Sequence, residues 1–517
     1  MPLSRRAFLH LSGAAALGSL SRSALGAASD DVSLCRKLAS DPLRPQYHLL
    51  PSHNWMNDPN GPIYFAGRYH MFHQYDPRGA TGGNMHWAHA TSTDMIHWRH
   101  EQIALAPTPG GPDSDGVFSG SAVVDQGKVA VIYTGVAPPS SLGDATLRDG
   151  VHTWRETQCL AVAQDQDLRI WKKIPEPVIA APPPGLAVTG FRDPALWREG
   201  DKWMLIVGSG VRGTGGMILL YTSPDLLHWT YLHPLIEGAA SKMTSVNPVD
   251  TGEMWECPDF FPLGNKHVLL ISTMGNVRWK VGTYSNQRFT LEKEGVVDWG
   301  SYYAAKTMLD ANGRRILWGW IPEARPDADL IAAGWAGAMS LPRVLSLNSL
   351  SALQTAVVEE IQKLRTDQVG MLKGAKPCSN CQDALDAIRI QNLGAEIEMQ
   401  FQPGIDDCAL RLYSDSGDFV SISCRNQMGS RELHVNTLSA PLPGSPASPL
   451  SLHMFLDGSV LEVFANGTVA LTARVYQIPS GPLRLKLEGN AKLLSLNAWQ
   501  LKAISADRLT GDCAVKG

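Results

Sequence analysis

The sequence predicts an all-β protein, a five-bladed β-propeller followed by a C-terminal β-sandwich. Three observations carry that prediction. Units of strand, glycine turn and strand recur through the first two-thirds of the chain. An eight-residue motif appears twice inside that repeat, and beyond residue 371 apolar and polar residues alternate with a period of two. Composition agrees: 48 Gly and 34 Pro in 517 residues supply many turns, and charged residues are only 18%, against roughly a quarter in an ordinary globular chain. A hydrophobic share of 44% excludes intrinsic disorder. The net charge of -4 argues against a nucleic-acid partner, which would need a basic face. Fifteen Trp outnumber both Tyr and Phe, at 12 each, and with the low charge they point to a neutral ligand.

The N-terminus reads as an address. Ser4-Arg5-Arg6-Ala7-Phe8-Leu9 has the form of a twin-arginine export signal, with an apolar run from Leu11 to about Leu20. Small residues at Ala24, Gly26, Ala27 and Ala28 offer a cleavage site, so residues 1–28 are expected to be removed. That would take away Arg5, Arg6 and Arg22 and leave 42 basic against 49 acidic residues. No later window reaches the length of a spanning helix, so a periplasmic or secreted product without a membrane partner is expected. Oligomeric state and the pairing of the eight Cys are not legible. Cys378-Ser-Asn-Cys381 has no second ligand pair at zinc-site spacing, so no metal is expected there.

Residues 40–340 are assigned to the propeller. Gly67 separates Ile63-Tyr64-Phe65 from Tyr69-His70-Met71-Phe72, and Gly127 separates Ala122-Val123-Val124 from Val129–Tyr133. Gly200 lies between Ala195-Leu196-Trp197 and Trp203–Val207, Gly264 precedes His267–Ile271, and Gly313 precedes Ile316-Leu317-Trp318. The second repeat is Thr91-Ser92-Thr93-Asp94-Met95-Ile96-His97-Trp98, which recurs as Thr222-Ser223-Pro224-Asp225-Leu226-Leu227-His228-Trp229. Five such units without helical periodicity between them fit five blades. Residues 341–370 read as a linker with a short helix over 357–364. Residues 371–510 read as the sandwich, with hairpins across Ser416-Gly417 and Asn466-Gly467.

Three carboxylates stand just ahead of the hairpins. Asp58 lies in Trp55-Met56-Asn57-Asp58-Pro59-Asn60-Gly61, Asp193 in Phe191-Arg192-Asp193-Pro194, and Glu256 in Trp255-Glu256-Cys257-Pro258-Asp259. Innermost propeller strands line one channel, so equivalent positions on three blades would converge there. Crowded carboxylates repel, and at least one then holds its proton near neutral pH. That suits glycoside hydrolysis, in which one carboxylate attacks the anomeric carbon and a second protonates the leaving oxygen. Trp55, Trp87 and Trp255 are candidates to face a sugar ring.

These motifs, in this order and spacing, resemble glycoside hydrolase family 32, the β-fructosidases. The likeness extends into the sandwich through Leu456-Asp457-Gly458-Ser459 and Glu462-Val463-Phe464. The resemblance implies a retaining enzyme with Asp58 as nucleophile, Glu256 as general acid/base and Asp193, with Arg192 beside it, on fructose hydroxyls. It also implies fructose contacts from Asn57, Gln74 and Ser119, and a reaction with no cofactor and no metal. The implied partner is a neutral fructose-containing saccharide: a fructan, a fructo-oligosaccharide or sucrose.

Two departures bear on substrate choice. Many members carry a Trp where this chain has Gly82, and many plant members carry one where this chain has Phe118 at the pocket rim. Met274-Gly275-Asn276-Val277-Arg278 also lacks the Asp and Lys that plant invertases place near sucrose, which favours fructans. Transfer of fructose to a sugar acceptor is the rival reading, and a non-catalytic fructan-binding protein a more distant one. Gly208-Ser209-Gly210-Val211-Arg212-Gly213 spells a dinucleotide fingerprint but leads into another strand, so no nucleotide is expected.

Overall fold

The computed structural model describes residues 33–139, 145–147, 153–239, 242–377, 382–427, 430–445 and 448–509. The export signal and Cys378-Ser-Asn-Cys381 lie outside the described residues. Five antiparallel sheets follow one another along the chain. Blade 1 is built from Asn54–Phe65, Arg68–Asp76, His86–Ser92 and Trp98–Leu105; blade 2 starts with Gly116–Asp125, Lys128–Ala137 and Thr153–Ala163. Blade 3 is Val188–Glu199, Lys202–Val211, Gly215–Ser223 and Thr230–Glu237; blade 4 is Glu256–Leu263, Lys266–Thr273, Asn276–Ser285 and Arg288–Val296. The first strand of each blade touches the first strand of the next, and blade 5 closes the ring on blade 1. The protein is therefore a five-bladed propeller followed by a β-sandwich-like sheet.

Turn chemistry explains the repeat. Ala66-Gly67 and Gln126-Gly127 both take positive φ at the two central positions (48° and 80°; 47° and 79°), which gives the turn twist that matches the flanking strands. The eight-residue motif is a structural corner between the third and fourth strands of blades 1 and 3. Asp94 Oδ1 accepts N–H bonds from Ile96 and His97, and Asp225 Oδ1 accepts them from Leu227 and His228. Met95 and Leu226 are both left-handed there, at 64° and 66°. Each Asp side chain caps a corner that its own backbone could not satisfy.

The stretch 341–370 differs from the expected linker. Arg343–Leu347 pairs with Arg315–Ile321, and Leu353–Val357 pairs with Arg343–Leu347, so these two strands complete the blade 5 that Tyr303–Leu309 begins; a 3-10 helix follows at Glu359–Leu364. The first of these strands presents only five residues, Arg-Val-Leu-Ser-Leu, too short a run for its alternation to stand out from loop sequence.

In the sandwich, two long strands, Gly394–Ser414 and Arg484–Leu501, run side by side. The first half of the former pairs with Leu450–Asp457 and the second half with Gly417–Gln427. The register breaks between Pro403 and Cys408, so one strand serves both layers. The motif Leu456–Phe464 docks this unit on the propeller. Asp457 accepts backbone N–H bonds from Gln46, Tyr47 and His48, and His48 is held between Asp457 Oδ2 (2.8 Å) and Glu462 Oε1 (2.9 Å). Glu462 continues to Arg343, and Arg343 to Asp298, all fully buried. Cys35 is disulfide-bonded, while Cys159, Cys257, Cys408 and Cys424 are free thiols. Among the described residues no helix is long and apolar enough to cross a membrane.

Candidate active site

All five innermost strands are broken by a bulge at one shared place, and those of blades 1 and 3 carry an additional register shift, between Asn60 and Ile63 and between Val188 and Phe191. The shared register shifts fall between Met56 and Pro59, Val117 and Gly120, Arg192 and Ala195, Glu256 and Asp259, and Tyr303 and Lys306. A bulge adds a residue, turns the strand and re-aims side chains. Asp193, Cys257 and Ala304 follow the last paired residue in blades 3, 4 and 5 and take positive φ of 65°, 49° and 54°. Non-glycine residues in this region are held there only by surrounding structure, which favours a functional reason for the strain.

This register corrects one expectation. The three carboxylates are not at equivalent positions. The blade-4 counterpart of Asp193 is Cys257, and Glu256 occupies the position of Arg192 in blade 3 and Tyr303 in blade 5. They also lie within the first strands, not ahead of them. Their convergence comes from the bulges, which put two successive residues of each strand against the channel.

The geometry brings Asp58, Asp193 and Glu256 together, all buried. Asp58 Oδ2 accepts the Ser119 hydroxyl at 2.7 Å, and Oδ1 accepts Asn57 Nδ2 at 3.0 Å. Trp55 Nε1 in turn donates to Asn57 Oδ1 at 2.8 Å, so the indole fixes the amide that fixes the carboxylate. Cys257 Sγ bridges Oδ2 of Asp58 (3.5 Å) and Oδ2 of Asp193 (3.4 Å). Its backbone N–H also donates to Asp193 at 2.9 Å. Arg192 Nε and Nη2 donate to Glu256 Oε1 at 3.1 and 3.0 Å, and Tyr303 donates to Oε2 at 2.9 Å. Burial first, then the charge of Glu256, pushes Asp193 up to about 6, with Asp58 adding to it and Arg192 opposing. The same surroundings push the Cys257 thiol well up, burial leading and the three carboxylates following. Neutral pH therefore finds a compact site in which negative charge is costly and each carboxylate has fixed donors.

Glycines let the blades close on this point. A Cβ on Gly208 would lie 2.3 Å from the Trp255 carbonyl oxygen, and one on Gly210 1.8 Å from that of Glu253. The apparent dinucleotide fingerprint is thus a strand whose glycines admit the segment leading into Glu256. Gly213 turns it directly into Gly215–Ser223.

Other expected residues divide. Gln74 donates to the Val117 carbonyl at 3.0 Å, next to Phe118 and Ser119, and its buried Oε1 has no hydrogen-bond partner among the described residues. Phe118 meets Trp154 edge-to-face at 5.8 Å. Trp55, Phe118, Tyr303 and Trp320 share one apolar cluster around the site, which makes Trp55 a candidate wall. Trp87 is a correction: it is fully buried among Phe72 and Tyr133, and its Nε1 donates to the Phe118 carbonyl from behind, so it offers no face to a ligand. Trp255 is likewise packed in the core between blades 3 and 4, over Gly216 and Gly238. Blade cores and sugar sites both use aromatics, and adjacency in sequence to a carboxylate does not separate them, because neighbouring strand residues point opposite ways. Sequence reasoning missed Tyr303, Cys257 and Glu156. Tyr303 precedes the fifth hairpin as Glu256 precedes the fourth, a signal visible once the blades are aligned by their bulges.

A five-bladed propeller with three buried carboxylates gathered on its innermost strands, joined to a sandwich, fits the glycoside-hydrolase class of protein. The chain matches the Glycosyl hydrolases family 32 N-terminal domain over residues 48–356 and the Glycosyl hydrolases family 32 C terminal over residues 411–500. It is 35% identical to sucrose-6-phosphate hydrolase of Escherichia coli, over 93% of this chain and all of that one. It is 31% identical to an insoluble-isoenzyme β-fructofuranosidase of Arabidopsis thaliana, over 90% and 91%. Among solved structures it resembles fructan 1-exohydrolase IIa of Cichorium intybus, with TM-score 0.75 and 28% identity over 89% and 98% of the two chains. It also resembles a family 32 β-fructofuranosidase of Bombyx mori, with TM-score 0.73 and 27% identity over 93% and 99%. The chain belongs to glycosyl hydrolases family 32 and is a hydrolase of the β-fructofuranosidase type.

Proposed function

We propose that this chain is an exported, retaining β-fructofuranosidase that releases terminal β-D-fructofuranosyl residues from fructans, fructo-oligosaccharides or sucrose. The observation that carries this is the buried trio, with Asp58 held by Ser119 and Asn57 and Glu256 held by Arg192 and Tyr303. Asp58, fixed by Ser119 and Asn57 among its donors, attacks the anomeric carbon and forms a fructosyl-enzyme. Glu256 gives its proton to the leaving oxygen, then takes one from the water that releases fructose. Asp193 accepts from fructose hydroxyls, and Asn57, Gln74, Ser119 and Arg192 complete that pocket. Phe118, with Trp154 against it, forms the rim where the leaving sugar sits.

The relatives' names add sucrose 6-phosphate to the substrate series. Initial rates on sucrose, sucrose 6-phosphate, inulin and levan, with product linkage analysed, test the reading. Release of fructose with a fructan preference is expected; no fructose from any of the four overturns the function. Export is checked separately by locating activity in periplasm or medium for the natural chain and for an Arg5→Lys, Arg6→Lys variant.

A further inference from the structure

An arginine bound to a carboxylate favours its ionised form, whereas a general acid must hold a proton at working pH. Arg192 rests on Glu256 through two N–H groups, so an unopposed guanidinium would make Glu256 a poor acid. We propose that Glu156 is a positioning residue that opposes Arg192 and so lets Glu256 act as the acid; this rests on the hydrolytic reading above.

Glu156 lies on Thr153–Ala163 of blade 2 and is buried. Its Oε1 accepts Arg192 Nη1 at 3.0 Å. Its Oε2 accepts the Phe191 backbone N–H at 2.7 Å and the Thr146 hydroxyl at 2.8 Å, so the carboxylate is anchored on both sides. Arg192 is thus shared, one edge on a carboxylate that reacts and the other on one that does not. The hydrogen bonds of Glu156 go to Arg192, Phe191 and Thr146, which makes it a support for the site.

The other groups facing Glu256 set the balance. Asp193 comes from the same blade as Arg192, Asp58 from blade 1, and Tyr303 and Lys306 from blade 5, with Cys257 adjacent and Lys280 of blade 4 over the Trp255 ring. Lys306 donates to the Pro258 carbonyl and acts on Cys257, and Arg192 is in direct contact with Glu256. Removing the negative charge of Glu156 would leave more of the field of Arg192 to Glu256 and ease its ionisation.

The test is the pH profile of kcat/KM for fructose release by the full chain, on the best of the four substrates. E156Q should move the basic limb to lower pH by about one unit, lower kcat at pH 7 by roughly tenfold and leave KM nearly unchanged. E156D keeps the charge but withdraws it by one methylene, and should move the limb the same way by less. If E156Q does not fold by circular dichroism, E156D decides. A folded variant whose basic limb stays in place or moves up overturns the inference. An active wild type with an unmoved E156Q limb removes only this inference, while an inactive wild type removes the hydrolytic reading with it.

Discussion

Arg192 of blade 3 places two N–H groups on one oxygen of Glu256 in blade 4, at 3.1 and 3.0 Å. Both occupy the last paired position before the bulge of their strand, as does Tyr303 in blade 5. One structural position, used three times round the ring, therefore supplies a carboxylate and the cation and phenol that both bind it.

Asp58 and Glu256 are the two carboxylates proposed to react. Asp58→Asn and Glu256→Gln should each lower fructose release by orders of magnitude while circular dichroism stays native. A variant that kept near-full activity would take that residue out of its assigned role.

Asp193 yields a stability prediction of opposite sign to its effect on activity. Its folded value of about 6 lies above the usual 3.8, so folding favours the protonated form. Stability then falls as pH rises from near 4 through 6, and the cost is fully present above that. Asp193→Asn should raise Tm by a few degrees at pH 7, give no gain below pH 4, and lose activity at both. An unchanged Tm at pH 7 would show that the site does not store this strain.

The His48 clamp predicts the pH window of the folded state. Burial alone would lower its pKa, but the hydrogen bonds it donates to Asp457 and Glu462 outweigh that and raise it to about 9. A raised His contributes stability that is complete below about 6.5 and lost as pH climbs through 9. Glu462 is held at about 2, where burial is overcome by Arg343 and His48. Its contribution is complete above about 4.5 and lost as pH falls through 2. The clamp's own contribution to thermal stability should be greatest between about pH 4.5 and 6.5. His48→Gln should remove about 3 kcal/mol there and flatten the alkaline decline. A variant with the wild-type alkaline slope would place the titration elsewhere.

Gly120 tests the packing behind Ser119. A Cβ there would lie 2.1 Å from the Ile132 carbonyl oxygen and 2.6 Å from Tyr133 Cα, both backbone atoms that cannot step aside. Gly120→Ala should cost about 3 kcal/mol in urea unfolding and displace Ser119 from Asp58, lowering activity. A Tm within one degree of wild type would show that the strand can yield.

Much of this was legible beforehand. The turns at Gly67 and Gln126-Gly127, the corners at Asp94 and Asp225, and the two-period pattern of the sandwich are local properties, dictated by φ preference, short-range capping and alternation. The trio Asp58, Asp193 and Glu256 was legible because each sits in a distinctive motif beside a proline turn. Trp87 and Trp255 misled because the face on which a strand residue lies depends on register, and a bulge shifts register by one.

What the sequence by itself determined is the class of local unit, the number of blades and the residue types gathered for chemistry. Only the tertiary structure decided which residues share a position round the ring. It matched Glu256 with Arg192 and Tyr303, and Asp193 with Cys257. It also brought Glu156 from blade 2 onto Arg192, and Asp457 and Glu462 from the sandwich onto His48. The reason is physical: these contacts join segments dozens to hundreds of residues apart, and their energies depend on burial and on which charges face one another. Neither quantity exists until the blades have closed.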